Sequence, residues 1–165
     1  MKKLVIGSAN FNQEYGLQKS KISKKNLRNQ IFKIIRKFNL KYFDTAIDYN
    51  LPKSFFKSVN FKKIKIITKI KLSKNQNHPQ VYERQILKEI DKFQVKSLEY
   101  VLLHNPNDLK TKEGFQLIKT LKRLKRKKLI KKLGVSIYQP KDLKFILKKF
   151  NPDLVQVPLN VFDIR

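Results

Sequence analysis

The strongest constraint on this chain is an alternation. Short, mostly apolar runs of three to six residues recur along it, separated by longer amphipathic stretches. Leu4–Ser8, Tyr42–Asp44, Ile64–Lys69, Tyr100–His104, Leu133–Ser136 and Leu154–Val157 read as strands, the last ended by Pro158. Apolar residues at helical spacing fill the intervals. They are Leu27, Ile31, Ile34, Ile35 and Phe38 after a capping Ser23; Val81, Ile86, Leu87, Ile90 and Phe93 after Pro79; Phe115, Ile118, Leu121, Leu124 and Leu129; and Leu143, Ile146, Leu147 and Phe150 after Pro140. A shorter helix is expected from Pro52 to Val59. Strand, helix, strand repeated with short connections predicts parallel pairing with crossover helices. The strands are apolar on both faces, as in sheets covered on two sides. The spacing therefore predicts an α/β fold with about six parallel strands and five to six helices, either an open doubly wound sheet or part of a barrel. It is read as a single domain over residues 1–165 with no linker.

A dinucleotide fold of the doubly wound kind wants a glycine-rich turn after the first strand. Gly7-Ser8-Ala9-Asn10-Phe11 does not provide one. The absence of cysteine excludes disulfides and thiolate metal sites, and two histidines argue against a multi-histidine metal site. After two lysines the N-terminus continues with only Leu4, Val5 and Ile6, too short for a secretory segment. No apolar run approaches the roughly 20 residues of a membrane span. A cytoplasmic protein is expected.

The net charge of +27 raises the alternative of a lysine-rich nucleic-acid-binding module. Against it, 33 of the 39 basic residues are lysine and only six are arginine, the preferred group for bidentate contacts. The lysines also run along nearly the whole chain, with no concentrated patch in the sequence. The sequence reading therefore favours compositional bias over a nucleic-acid partner.

Four residues stand at or just past strand ends: Asp44, Tyr49, Lys69 and His104. A carboxylate, a phenol, an ammonium and an imidazole at the carboxyl ends of parallel strands form a plausible acid–base site. Taken singly, each has a structural reading: Asp44 as a turn cap, Tyr49 as a half-buried aromatic, His104 as a hydrogen-bonded structural histidine. Lys69 gains weight because it ends an apolar strand, where a charge needs a partner.

The segments around these residues resemble the aldo/keto reductase family. Tyr42-Phe43-Asp44-Thr45-Ala46-Ile47-Asp48-Tyr49 is similar to its FDTAxxY segment, Ile67-Thr68-Lys69 to its TK, and Tyr100 to Pro106 to its LLH segment. Leu133-Gly134-Val135-Ser136 resembles its GVS, and Asp153 to Asn160 the strand-six segment with a nicotinamide-contacting Gln. The resemblance implies an incomplete (β/α)8 TIM barrel reducing an aldehyde or ketone with NADPH or NADH. It implies Tyr49 as general acid, Lys69 lowering its pKa, Asp44 paired with Lys69, and His104 orienting the carbonyl. Ser136 and Gln156 would hold the nicotinamide carboxamide.

Two departures are visible. Ile137 stands where the family usually has Asn, and Asn50-Leu51-Pro52-Lys53 follows Tyr49 in place of Gly-x-Ser-Glu. A closed eight-stranded barrel takes about 250 residues, so a chain of 165 is expected to lack the last two β-α units. From this follow expectations of a truncated or split reductase, or a non-catalytic remnant, with weak cofactor binding and association through open sheet edges.

Overall fold

The computed structural model describes residues 4–11, 24–56, 61–73 and 78–159. Six strands, β1 (Val5–Gly7), β2 (Tyr42–Asp44), β3 (Lys65–Ile70), β4 (Leu98–Leu103), β5 (Ile130–Ser136) and β6 (Leu154–Gln156), form one sheet in chain order. Every neighbouring pair is parallel. Consecutive strands pair side by side without a reversal of order, the topology of a barrel wall and not of a doubly wound sheet. The architecture is an incomplete TIM barrel, a half-barrel of six parallel strands.

Four α-helices accompany the strands among the described residues: α1 (Lys24–Lys37), α2 (Pro79–Phe93), α3 (Lys112–Arg126) and α4 (Pro140–Leu147). This is fewer than the five to six expected. The segment after Pro52 is the difference, because Lys53–Phe56 and Phe61–Lys63 are single 3-10 turns. These tight turns drop Phe56 and Phe61 beside Phe43 and Phe93, with ring centroids 4.8–5.9 Å apart. A longer helix would carry the two rings onto different faces. The Ser23 cap, the end of that segment at Val59 and the stretch from Asn160 onward lie outside the described residues.

Strand alternation divides the sheet into two faces. Phe43, Ile66, Ile70, Val101, Leu103, Leu133 and Val135 join the apolar core beneath the helices. Asp44, Ile67, Lys69, Leu102, Gly134 and Ser136 have the opposite parity and line the concave face. Gly134 is required there. A Cβ at this position would lie 2.4 Å from both Leu102 Cδ2 and the Leu154 carbonyl oxygen, so glycine lets the Leu102 side chain and the β6 backbone close in on β5.

The helices dock through narrower stripes than their apolar content suggests. In α2 the buried residues are Tyr82, Ile86, Glu89 and Phe93, while Leu87 points outward. Glu89 is almost fully buried. It accepts a hydrogen bond from Thr68 Oγ1 at 3.2 Å and pairs with Lys92. That bond ties β3 to α2 through Thr68, which leaves the next residue, Lys69, on the concave face. In α3 the docked stripe is Gly114, Leu117, Ile118, Leu121 and Leu124, with Phe115 partly exposed under Lys149 Nζ. No described helix is long and apolar enough to cross a membrane. Among the described residues nothing pairs with the outer edges of β1 and β6, and Leu4, Val5, Val157 and Leu159 are exposed beside them.

Candidate active site

β2 and β3 bring the first two groups together. In register Asp44 faces Ile67, two residues before Lys69, so both side chains rise from the same face at the strand ends. Lys69 Nζ donates to both Asp44 carboxylate oxygens, at 2.7 and 2.6 Å, and to the Thr45 carbonyl at 3.1 Å. The lysine side chain is 5% exposed and the aspartate 14%. An ammonium this buried is tolerable only because its charge and its donors are matched.

Tyr49 follows β2 by a short path. Ile47–Tyr49 is a 3-10 turn, closed when the Asn50 N–H donates to Ile47 O with Asn50 at φ 50°. Asparagine tolerates this left-handed geometry better than most residues. The turn sets the Tyr49 ring 5.9 Å from Lys69 Nζ. His104 leaves β4 with its N–H bonded to Ile70 O at 2.8 Å, and its ring meets that of Tyr49 edge-on at 6.2 Å. Asp44, Tyr49, Lys69 and His104 therefore converge at the carboxyl end of the strands.

Two further groups belong to this cluster and were not singled out in the sequence. Asp48 Oδ1 lies 3.2 Å from His104 Nδ1, and Asp48 Oδ2 accepts from Lys71 Nζ at 2.7 Å. Partial burial alone would raise its pKa. The hydrogen bonds and positive charge of His104 and Lys71 outweigh burial and hold the Asp48 carboxyl well below the usual carboxylate range. An ionised carboxylate only accepts, so His104 Nδ1 is the donor in this contact. Both residues had a signal. Asp48 precedes Tyr49 in a turn too short to separate them, and Lys71 is two residues beyond Lys69 and shares its face.

His104 and Lys71 open onto a cleft of about 630 Å³ bounded by Asn105, Lys110, Tyr138 and Asp142. Its floor includes the loop Pro106–Lys110, where the Leu72 N–H donates to Asp108 Oδ2 at 2.8 Å. Burial pushes the Asp108 carboxyl up despite that bond. A larger open groove of about 1150 Å³ lies over α2 and α3 between His78 and Arg126, and none of the four converging residues borders it. The smaller cleft is the one that adjoins the acid–base groups.

Ser136 and Gln156 are register partners at the ends of β5 and β6. Ser136 is buried, and Gln156 Oε1 is buried with no hydrogen-bond partner. An amide oxygen left this way fits a ligand that brings its own N–H donor. A nicotinamide carboxamide is such a ligand, so the residues present suit that end of the cofactor. Ile137, at the position where asparagine was noted as usual, is buried in the apolar core, and its N–H donates to Gln156 O at 2.9 Å.

A parallel barrel wall with a buried lysine–aspartate pair, a tyrosine and a histidine at the strand ends defines a class of α/β-barrel proteins with an acid–base site at the carboxyl face. The chain belongs to the aldo/keto reductase family, which matches it over residues 3–165. No curated protein matches it by sequence. Among solved structures it is similar to a protein from Pseudomonas aeruginosa assigned to the aldo-keto reductases, with 20% identity, 96% of this chain and 64% of that one covered, and a TM-score of 0.73. It is similar also to an aldo/keto reductase from Brucella melitensis (17%, 94% and 57%, TM-score 0.66) and to a Bombyx mori aldo-keto reductase in complex with NADP (14%, 95% and 54%, TM-score 0.69). The chain thus spans less than two thirds of the length of these structures.

Proposed function

We propose that this chain carries the acid–base half of an NAD(P)H-dependent reductase acting on an aldehyde or ketone. The observation that supports it most is the buried Lys69–Asp44 pair set against the ring of Tyr49, with the His104 ring edge-on to that ring. A phenol has a pKa of about 10 and is a poor proton donor near neutrality. An adjacent ammonium favours the phenolate and so makes the hydroxyl a better acid. Asp44 holds that ammonium in place and compensates its burial.

When bound, the nicotinamide supplies hydride to the carbonyl carbon. Tyr49 gives its hydroxyl proton to the carbonyl oxygen, which completes the alcohol and leaves a phenolate beside Lys69. His104, steadied by Asp48, borders the cleft and orients the carbonyl compound there. Ser136 and the unsatisfied Gln156 amide would hold the carboxamide. The cleft beyond His104, with Tyr138 at its rim, accepts the remainder of the carbonyl compound.

The test is a panel of aldehydes and ketones assayed with NADPH and NADH, alongside cofactor titration by fluorescence. Carbonyl-dependent oxidation of the cofactor, with binding weakened about fivefold in Gln156→Ala for the loss of a hydrogen bond of about 1 kcal/mol, is the expected result. Cofactor binding unaffected by both Gln156→Ala and Ser136→Ala would remove these two residues from the site.

A further inference from the structure

All six strands run in one direction, so every strand begins, and every crossover helix ends, at the face opposite the acid–base cluster. Residues far apart in sequence are gathered there. The segments 36–41, 61–65, 91–99, 125–132 and 148–153 all lie at helix ends and strand starts. Together they carry Lys or Arg at sixteen positions and a carboxylate at three, Asp91, Glu99 and Asp153. Lysines that look dispersed along the chain thus converge in space. Basic residues suit helix C-termini, but that effect fades beyond the last turn and does not account for those on the strands.

The charge has a shaped centre. A cleft of about 410 Å³ opens on this face, bordered by Lys62, Lys63, Lys65, Lys96 and Lys131. Among the described residues one carboxylate lines it, Glu99, and it is engaged by Lys131 at 2.9 Å and Lys65 at 3.5 Å. Five ammonium groups around one carboxylate repel one another, and an incoming anion relieves that repulsion. Two aromatic rings stand at the same strand starts, on the concave side of the sheet, each under a lysine. Lys65 Nζ is 5.4 Å from the Tyr42 ring centroid, and Lys132 Nζ is 5.4 Å from that of Tyr100. Both tyrosines are half-buried at the strand starts.

We propose that this face binds single-stranded nucleic acid, with the cleft lysines tracking the phosphates and Tyr42 and Tyr100 offering faces for unstacked bases. The pairing of a cationic groove with aromatic platforms is what sequence-tolerant binding of single strands requires. An anionic membrane is the poorer fit. The densest basic stretch, at the end of α3, has its apolar stripe Leu117, Leu121 and Leu124 spent in the core and has none left to enter lipid. This surface is separate from the carbonyl-reducing site, and neither reading depends on the other.

The test is fluorescence anisotropy of a labelled 20-nucleotide mixed-sequence RNA titrated with the full chain between 50 and 200 mM salt. Neutralising five phosphates gives a slope of about −3.5 in log affinity against log salt. The variant Lys62→Glu/Lys63→Glu/Lys96→Glu, all exposed and all bordering the cleft, should lose at least tenfold in affinity and flatten the slope by about 2. Tyr42→Leu/Tyr100→Leu should weaken binding about fivefold or more and leave the slope intact. A control reversal on the outer helix faces, Lys33→Glu/Lys88→Glu/Lys144→Glu, should change affinity much less. No binding at 50 mM salt overturns the proposal. So does an equal loss in the control, which would mean that net charge alone acts. Binding to phosphatidylserine vesicles without RNA binding overturns it as well.

Discussion

Removing the Lys69 ammonium tests whether the buried ion pair is as tightly coupled as its geometry implies. In Lys69→Met the Asp44 carboxylate keeps its burial and loses a cation that touches both its oxygens. With the charges about 3 Å apart and an effective dielectric of about 20, the attraction is about 5 kcal/mol before desolvation is subtracted. Stranding one member of such a pair costs about 3–5 kcal/mol. Asp44→Asn keeps the shape and leaves the ammonium with neutral acceptors, and should cost about 3 kcal/mol by the same reasoning. The double variant leaves no charge stranded, so the two losses should fall short of additivity by about 2–3 kcal/mol. Urea denaturation followed by circular dichroism at neutral pH reads all four proteins; with no tryptophan in the chain, the backbone signal is the suitable probe. A cost below about 1 kcal/mol for Lys69→Met, the scale of an exposed pair, would refute the reasoning, as would strict additivity.

The remaining structural expectations can be checked by routine methods. Gly114→Ala would put a methyl 1.8 Å from the Asp108 carbonyl oxygen, so the loss should be about 2 kcal/mol or more in thermal melting; a net gain from helix propensity would contradict that packing. The Asp48 carboxyl is held below its unfolded value of about 3.9, so its contribution is fully present above about pH 4 and is lost as pH falls from there through the folded value. Asp48→Asn should therefore be less stable than the parent at neutral pH, with the gap closing in acid; a gap constant with pH in melting experiments would count against the His104 and Lys71 contacts. The edges of β1 and β6 that stay unpaired among the described residues, with Leu4, Val5, Val157 and Leu159 exposed, should make the chain associate as concentration rises. Sedimentation velocity showing only monomer at high concentration would argue the reverse.

The fold was largely readable because its signals are local. The β-branched run Ile64–Thr68 and the capless apolar stretch ending at His104 mark strands by residue type alone, and the spacing of Ile118, Leu121 and Leu124 marks a helix face. The four converging residues were readable because parallel strands deliver their ends to one face. What escaped depends on neighbours distant in sequence. Glu89 sits among charged residues and reads as solvent-facing, yet Thr68 and Lys92 make its burial possible. Asp48 acquires a role only when β4 brings His104 across to it. The short helix expected after Pro52 gave way to 3-10 turns because Phe56 and Phe61 had to meet Phe43, a demand invisible in their own segment. The lysine face is the clearest case. Its members are scattered in the chain and collected only by the crossover topology.

Proton donation by Tyr49 is the central chemical claim, and one comparison addresses it directly. Reduction of an accepted aldehyde by the parent protein and by Tyr49→Phe, with cofactor and substrate affinities measured beside turnover, isolates the hydroxyl. The account predicts that kcat falls by about 10²–10⁴-fold, the scale of a lost general acid, while both affinities stay within a few-fold. Near-parental turnover in Tyr49→Phe would contradict it and move the proton source to another group at the site.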